Sequence, residues 1–93
     1  MKARTFANVW EALEDNSEDA ANMTMRSNVM TAINETVRGW STTQARAARR
    51  LGITQPRLND LLRGRINKFS LDTLLILATR AGLKVKVEIR SAA

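Results

Sequence analysis

The residues best suited to recognise another molecule lie in one short stretch, residues 54–63. If this stretch is helical, Leu58, Leu61 and Leu62 face inward, and amides, cations and one carboxylate remain on the outside. Amide and guanidinium groups can bond the edges of base pairs, and cations can bind phosphates. This outer surface therefore has the chemistry that the major groove of DNA requires. Its candidate DNA-binding residues are Thr54, Gln55, Pro56, Arg57, Asn59, Asp60 and Arg63.

Two glutamines occupy matching places, because Gln44 and Gln55 each fall in the first turn of a predicted helix. The long amide of Gln55 can reach an adenine edge, and that of Gln44 can reach a phosphate. The alternative for each is an ordinary solvated polar side chain.

The roles of two charged residues stay open at this point. Arg57 can pair with guanine through two hydrogen bonds or simply neutralise a phosphate. Asp60 would repel phosphates unless it accepts a hydrogen bond from a cytosine amine or pairs with Arg57 or Arg63. Direct reading of a base and a salt bridge that orients an arginine are both consistent with the sequence.

The elements that position these side chains are two short helices joined by a tight turn, over residues 43–64. Thr43 can cap the first helix through its hydroxyl, and Gly52 can end it in a left-handed conformation. Thr54 can cap the second helix at once, and Pro56 is tolerated in its first turn because the N–H that proline lacks has no helical partner there.

Positive charge is concentrated around this pair of helices. The 93-residue chain has 15 Lys and Arg against 9 Asp and Glu, a net charge of +6. Residues 1–37 have a net charge of −3 and residues 38–68 a net charge of +7. A basic block centred on two short helices is typical of a surface that binds a phosphate backbone. The further predicted DNA contacts in this block are Arg46, Arg65 and Lys68, together with Gln44.

Two ordinary alternatives oppose this interpretation. The two helices could be a hairpin of a helical bundle that binds no DNA, and the cations could be solvated surface charges. The three-residue glycine turn and the concentrated charge together favour a helix-turn-helix.

Several function classes are disfavoured by composition. The chain has no Cys and no His, so disulfides, thiolate sites and imidazole chemistry are excluded. We predict no catalytic site, no metal site and no cofactor. No apolar run approaches the roughly 18 residues that a membrane span needs, and no signal-peptide core is visible. We therefore expect a cytoplasmic bacterial protein with no membrane partner, which is nucleoid-associated when bound to DNA.

The N-terminal part, residues 5–40, predicts two helices. Phe6, Val9, Trp10 and Leu13 follow the spacing of a short amphipathic helix over residues 5–14. A longer helix begins near residue 17. Its apolar stripe is formed by Met25, Val29, Ile33, Val37 and Trp40.

The C-terminal part predicts a last helix over residues 70–81 and a β-strand over residues 83–90. The strand alternates apolar and charged residues, and a lone strand leaves unpaired backbone groups that the same strand of a second copy, or an edge strand of another protein, can satisfy. In the helix, Leu71, Leu74, Leu75 and Ala78 are expected inside. Four consecutive aliphatic residues cannot share one face, so Ile76 and Leu77 need cover from the N-terminal helix or from another subunit. The predicted dimerisation residues are Ile76, Leu77, Leu83, Val85, Val87 and Ile89.

The central motif resembles the lambda-repressor-like, or Xre-type, helix-turn-helix proteins. The resemblance rests on Thr43-Gln44, Ala47-Ala48, the run from Leu51 to Gln55, Leu58 and the run from Leu61 to Gly64. Together with the elements predicted above, it leads us to expect an all-α, five-helix domain spanning residues 1–93, dimeric through the C-terminal strand and the last helix. It also implies a transcriptional regulator that binds a near-palindromic duplex operator. The family commonly has Ser where this chain has Asn59, so no base preference is carried over.

A wider resemblance, which includes residues 9–13, 20–23 and 69–72, is to the HigA-type antitoxins. This resemblance implies an autoregulating repressor that also neutralises a RelE- or HigB-like toxin of a type II toxin-antitoxin pair. The acidic residues 1–37 are the expected contact for such a basic nuclease, and an ordinary solvated acidic surface explains the same charges equally well. The alternative is a stand-alone Xre-type regulator without a toxin partner.

Overall fold

The computed structural model describes residues 17–91. Within this range the chain forms four α-helices and a single 3₁₀ turn. In chain order they are α1 Ser17–Gly39, α2 Gln44–Leu51, α3 Gln55–Leu62, the 3₁₀ turn Ile66–Lys68, and α4 Leu71–Arg80. The all-α class is confirmed for these residues. The helix predicted over residues 5–14 lies outside them, so the count of five helices is not supported.

Three of the helices begin at a hydroxyl cap, as the sequence predicts. The side chain of Thr43 accepts a hydrogen bond from the Arg46 amide at 3.2 Å, and that of Thr54 accepts one from the Arg57 amide at 3.3 Å. Ser70 does the same for α4. Each bond satisfies an amide that has no partner within its own helix, which fixes where the helix starts.

The turn between α2 and α3 depends on Gly52, whose φ of 70° lies in the left-handed region. Its amide donates to the Arg49 carbonyl at 3.1 Å, and the Ile53 amide donates to the Ala48 carbonyl at 3.0 Å. This pair of bonds is the Schellman motif, which ends a helix and reverses the chain within two residues. Thr54 follows immediately as the next cap, so the turn holds α3 at a fixed angle to α2.

The core lies between α1, α4 and the inner faces of α2 and α3. Helix α1 packs chiefly against α4. Trp40 is partly buried against this core, and the Arg50 guanidinium lies 4.0 Å from the centre of its ring. The largest fully buried side chains among residues 17–91 are Phe69, Ile33, Leu51, Leu58, Leu61, Leu74 and Leu77.

The inner face of α4 differs from the expectation at three leucines. Leu77 is fully buried with Leu74 and Ala78, whereas Leu71 and Leu75 are only partly buried against the core. The reason is helical spacing, because residues three and four positions after Leu74 lie on the same face. Leu77 is therefore part of the core of this chain, and its burial leaves it no surface for the predicted dimer interface. Ile76 is 52% exposed, as a surface position requires.

Residues 83–90 form no strand in the described chain, which corrects the sequence prediction. The physical reason is that a strand exists through hydrogen bonds to a neighbouring strand, and residues 17–91 offer it none. The segment leaves Val87 61% and Ile89 89% exposed. None of the described helices is long and apolar enough to cross a membrane.

The Gly52 turn generates a test of the fold. A Cβ at this position would lie 3.0 Å from the Arg80 guanidinium, which itself donates a hydrogen bond to the Leu51 carbonyl. Gly52→Ala should lower the free energy of unfolding by about 2 kcal/mol, because alanine is strained in the left-handed conformation and also displaces Arg80. Urea unfolding measures the change.

Gly39→Ala is the matched control. Gly39 ends α1 with an ordinary φ, and its added Cβ would meet nothing within 4 Å. Alanine there should leave stability unchanged or raise it by up to about 1 kcal/mol. Equal effects of the two substitutions would contradict the account of the turn.

Candidate nucleic-acid interface

The predicted DNA-binding residues on α2 and α3 are found in three different environments. Gln44, Gln55 and Pro56 are exposed, and each lies in the first turn of its helix. Asn59 is partly buried one turn after Gln55. Thr54 is exposed, but its hydroxyl is used to cap α3. The remaining predicted residues with exposed side chains are Arg46, Arg63, Arg65 and Lys68.

Arg57 is held against the protein rather than extended into solvent. Its guanidinium lies 4.1 Å from the centre of the Phe69 ring, and its Nη1 donates to the Lys68 carbonyl at 2.7 Å. A cation over an aromatic face and a charge-assisted hydrogen bond both favour this position. Pairing with guanine is one of the two roles that the sequence left open for Arg57. It would require Arg57 to leave both the Phe69 ring and the Lys68 carbonyl.

Asp60 pairs with two cations that follow α3. Its Oδ1 is 3.0 Å from Arg65 Nη1, and its Oδ2 is 3.6 Å from Lys68 Nζ. A salt bridge was one of the two predicted roles, but the predicted partners, Arg57 and Arg63, were wrong. The reason is the turn at Gly64, where the Arg65 amide donates to the Asp60 carbonyl at 3.1 Å and brings the chain back beside α3.

Two arginines of α1 that sequence reasoning missed hold the backbone around α3. Arg26 Nη1 donates to the carbonyls of Ile66 at 3.3 Å and Phe69 at 3.2 Å. Arg38 Nη2 donates to the Leu62 carbonyl at 3.1 Å. The bond from Arg38 satisfies a carbonyl at the C-terminal end of α3, where the positive charge also complements the helix dipole, and the bonds from Arg26 hold the loop that follows α3.

Two further side chains support the ends of α2 and α3. Asn34 Nδ2, which is buried, donates to the Leu61 carbonyl at 2.9 Å. Arg80 of α4 donates to the Leu51 carbonyl at 3.1 Å. No local sequence signal identifies either bond, because the partners are 27 and 29 residues apart in the chain.

The charge of this surface is strongly one-signed. Residues 38–68 contain eight basic residues and one acidic residue, Asp60, whose side chain is 17% exposed. By contrast, the side chains of Arg65 and Lys68 are 45% and 54% exposed. Cations therefore form the outer part of this surface, and the carboxylate lies behind them. Within residues 17–91, no three acidic residues lie close enough together to hold a metal ion.

Comparison with known proteins agrees with this geometry. Residues 12–90 match a family model described as a helix-turn-helix domain. No curated protein matches the chain. The matched range includes α2, the glycine turn and α3. Because the match covers most of the sequence, the chain belongs to the helix-turn-helix domain family of DNA-binding proteins.

Proposed function

We propose that the protein is a sequence-specific regulator of transcription that binds duplex DNA and represses its own operon. The observation that carries this proposal is the exposed first turn of α3, where Gln55 lies within the block of residues 38–68 that has a net charge of +7. An amide can make two hydrogen bonds with adenine, and the cations can bind the phosphates on either side of the groove.

In this proposal α3 enters the major groove and α2 lies across the phosphate backbone. Gln44, in the first turn of α2, contacts a phosphate, and Gln55 contacts a base. Asn59, one turn further along α3, is the second base-reading amide. Arg46 and Arg63 are exposed and contact phosphates.

The protein acts as a homodimer in this proposal. Residues 83–90 have unpaired backbone groups and exposed apolar side chains, of which Val85 is 37% and Val87 61% exposed. Pairing with the same segment of a second copy would satisfy the backbone and cover these side chains. Exposed Ile76 and partly buried Leu83 complete the apolar surface. Two α3 helices would then read half-sites about 34 Å apart on a near-palindromic operator.

The proposed second activity is that of an antitoxin. Support comes from the resemblance to the HigA-type antitoxins and from the net charge of −3 over residues 1–37. An acidic surface complements a basic RNA-cleaving toxin of the RelE or HigB type. The helix-turn-helix is then free to bind the operator that the two genes share.

Gln55→Ala and Gln44→Ala test the division between base reading and phosphate binding. Gln55→Ala should weaken binding to the DNA upstream of the gene by about 1–3 kcal/mol and leave binding to a scrambled duplex nearly unchanged. Gln44→Ala should weaken binding to both duplexes by a similar factor, because a phosphate contact carries no sequence information. Fluorescence anisotropy measures all four affinities.

Asn22→Ala, an exposed amide of α1, is the control and should change neither affinity. If Gln55→Ala had the same effect on both duplexes, Gln55 would not be a base-reading residue.

Val87→Lys tests the dimer. A charge placed on the proposed buried face should shift the protein toward monomer by at least about tenfold in the dimer dissociation constant, because a buried unpaired charge is costly. Sedimentation equilibrium gives the constant. Lys86→Gln alters the opposite face of the same segment and should have little effect. A wild-type monomer at micromolar concentration would contradict the dimer proposal.

Co-purification tests the antitoxin activity. A tagged copy expressed in the native host should recover a small basic protein encoded by an adjacent gene, and expression of that gene alone should arrest growth. If the protein binds its upstream DNA selectively but recovers no such partner, it is a stand-alone regulator and the antitoxin proposal fails.

A further inference from the structure

The segment between α3 and α4, residues 64–69, has a network of interactions that base reading by α3 does not use. We call it the cationic loop. We propose that it is a phosphate-binding element whose cations are placed in advance by Asp60, and that Asp60 and Arg57 are positioning residues rather than readers of bases. This proposal rests on the proposed DNA-binding function and extends it.

The side chains of the loop are arranged with the cations outward. Arg65 and Lys68 pair with different oxygens of the Asp60 carboxylate, at 3.0 Å from Oδ1 and 3.6 Å from Oδ2 respectively. Each keeps about half of its side chain exposed. Asp60 lies behind them at 17% exposure. The group of three therefore keeps one net positive charge, and the carboxylate holds the guanidinium and ammonium heads of two half-exposed side chains in place.

The backbone of the loop is held from both sides. On one side Arg57 lies over Phe69 and donates to the Lys68 carbonyl at 2.7 Å. On the other side Arg26 donates to the carbonyls of Ile66 and Phe69. A backbone fixed in this way has less conformational freedom to lose when the loop binds a ligand.

This geometry disfavours base reading by Asp60 and Arg57. For Asp60 to accept from a cytosine amine, its carboxylate would have to leave two cations. For Arg57 to reach guanine, its guanidinium would have to leave the Phe69 ring and the Lys68 carbonyl. The loop directly follows α3, so a helix seated in the major groove would bring Arg65 and Lys68 toward the adjacent backbone.

Asp60→Asn separates three possible roles of the carboxylate. If Asp60 positions the cations, the substitution should weaken binding to the upstream and scrambled duplexes by the same factor, about tenfold. The slope of log affinity against log salt should also become shallower by about 0.9 for each phosphate that the variant no longer neutralises. Tighter binding to both duplexes would mean that Asp60 only repels phosphates. A changed preference at one base pair, selected from a randomised duplex pool, would mean that it reads a base. Either result overturns the proposal.

Asp72→Asn is the matched control, because it makes the same change on an exposed carboxylate in the first turn of α4. It should leave the salt slope unchanged. Thermal unfolding of each variant verifies that the domain is folded.

Arg57→Lys gives a second, independent test. Lysine keeps the charge but lacks the planar group that lies over Phe69. In the free protein, hydrogen exchange at the loop amides of Lys68 and Phe69 should therefore accelerate. The amide of Ile33, in the core, should stay protected. Arg49→Lys on α2 is the control for exchange. Binding to both duplexes should fall equally with unchanged base preference.

Unchanged exchange at the loop, or an altered base preference, would overturn the positioning role of Arg57. A wild-type protein that binds neither duplex would instead contradict the proposed function itself, whatever the exchange result.

Discussion

Helices α2 and α3 have only eight residues each, a length at which an isolated helix is marginal in water. Both depend on packing against the rest of the domain. Leu51 of α2 and Leu58 and Leu61 of α3 are completely buried, and the left-handed Gly52 between the helices lets all three leucines face the same core. The polar face of α3 is therefore rigid because its apolar face is buried. Every proposed contact with DNA depends on this arrangement.

The need to hold the two short helices against the domain also determines how the positive charge is used. Residues 38–68 have a net charge of +7, but not all of their cations are available to bind phosphates. Arg38 and Arg57 instead donate hydrogen bonds to carbonyls of the protein. Arg26 and Arg80, from outside that block, also hold carbonyls near the ends of the short helices. Some arginines thus stabilise the helix pair from within, and others, such as Arg46 and Arg63, have exposed side chains that remain available to a ligand. Composition alone cannot separate the two groups.

The helix pair could be predicted from the sequence because its signals are local. Thr43 and Gly52 act through amides and carbonyls within four residues of themselves, so their residue types are sufficient. The hydrogen bonds of Arg26 to the loop connect residues 40 or more positions apart and have no such signature. Leu77 was misplaced because a run of four aliphatic residues fits more than one helical face. The strand over residues 83–90 was predicted from the alternation of apolar and charged residues. This alternation indicates a tendency to form a strand, but it does not supply the neighbouring strand that a strand must pair with.

The central claim is that this surface binds the phosphates and bases of duplex DNA. The most direct test is the affinity of the wild-type protein for the duplex upstream of its own gene and for a scrambled duplex, measured between about 50 and 200 mM salt. For about six to ten phosphate contacts per dimer, the affinity for both duplexes should fall by about three to five decades across this range, with the upstream duplex bound more tightly throughout. A flat response to salt, or equal weak binding to both duplexes, would contradict the account.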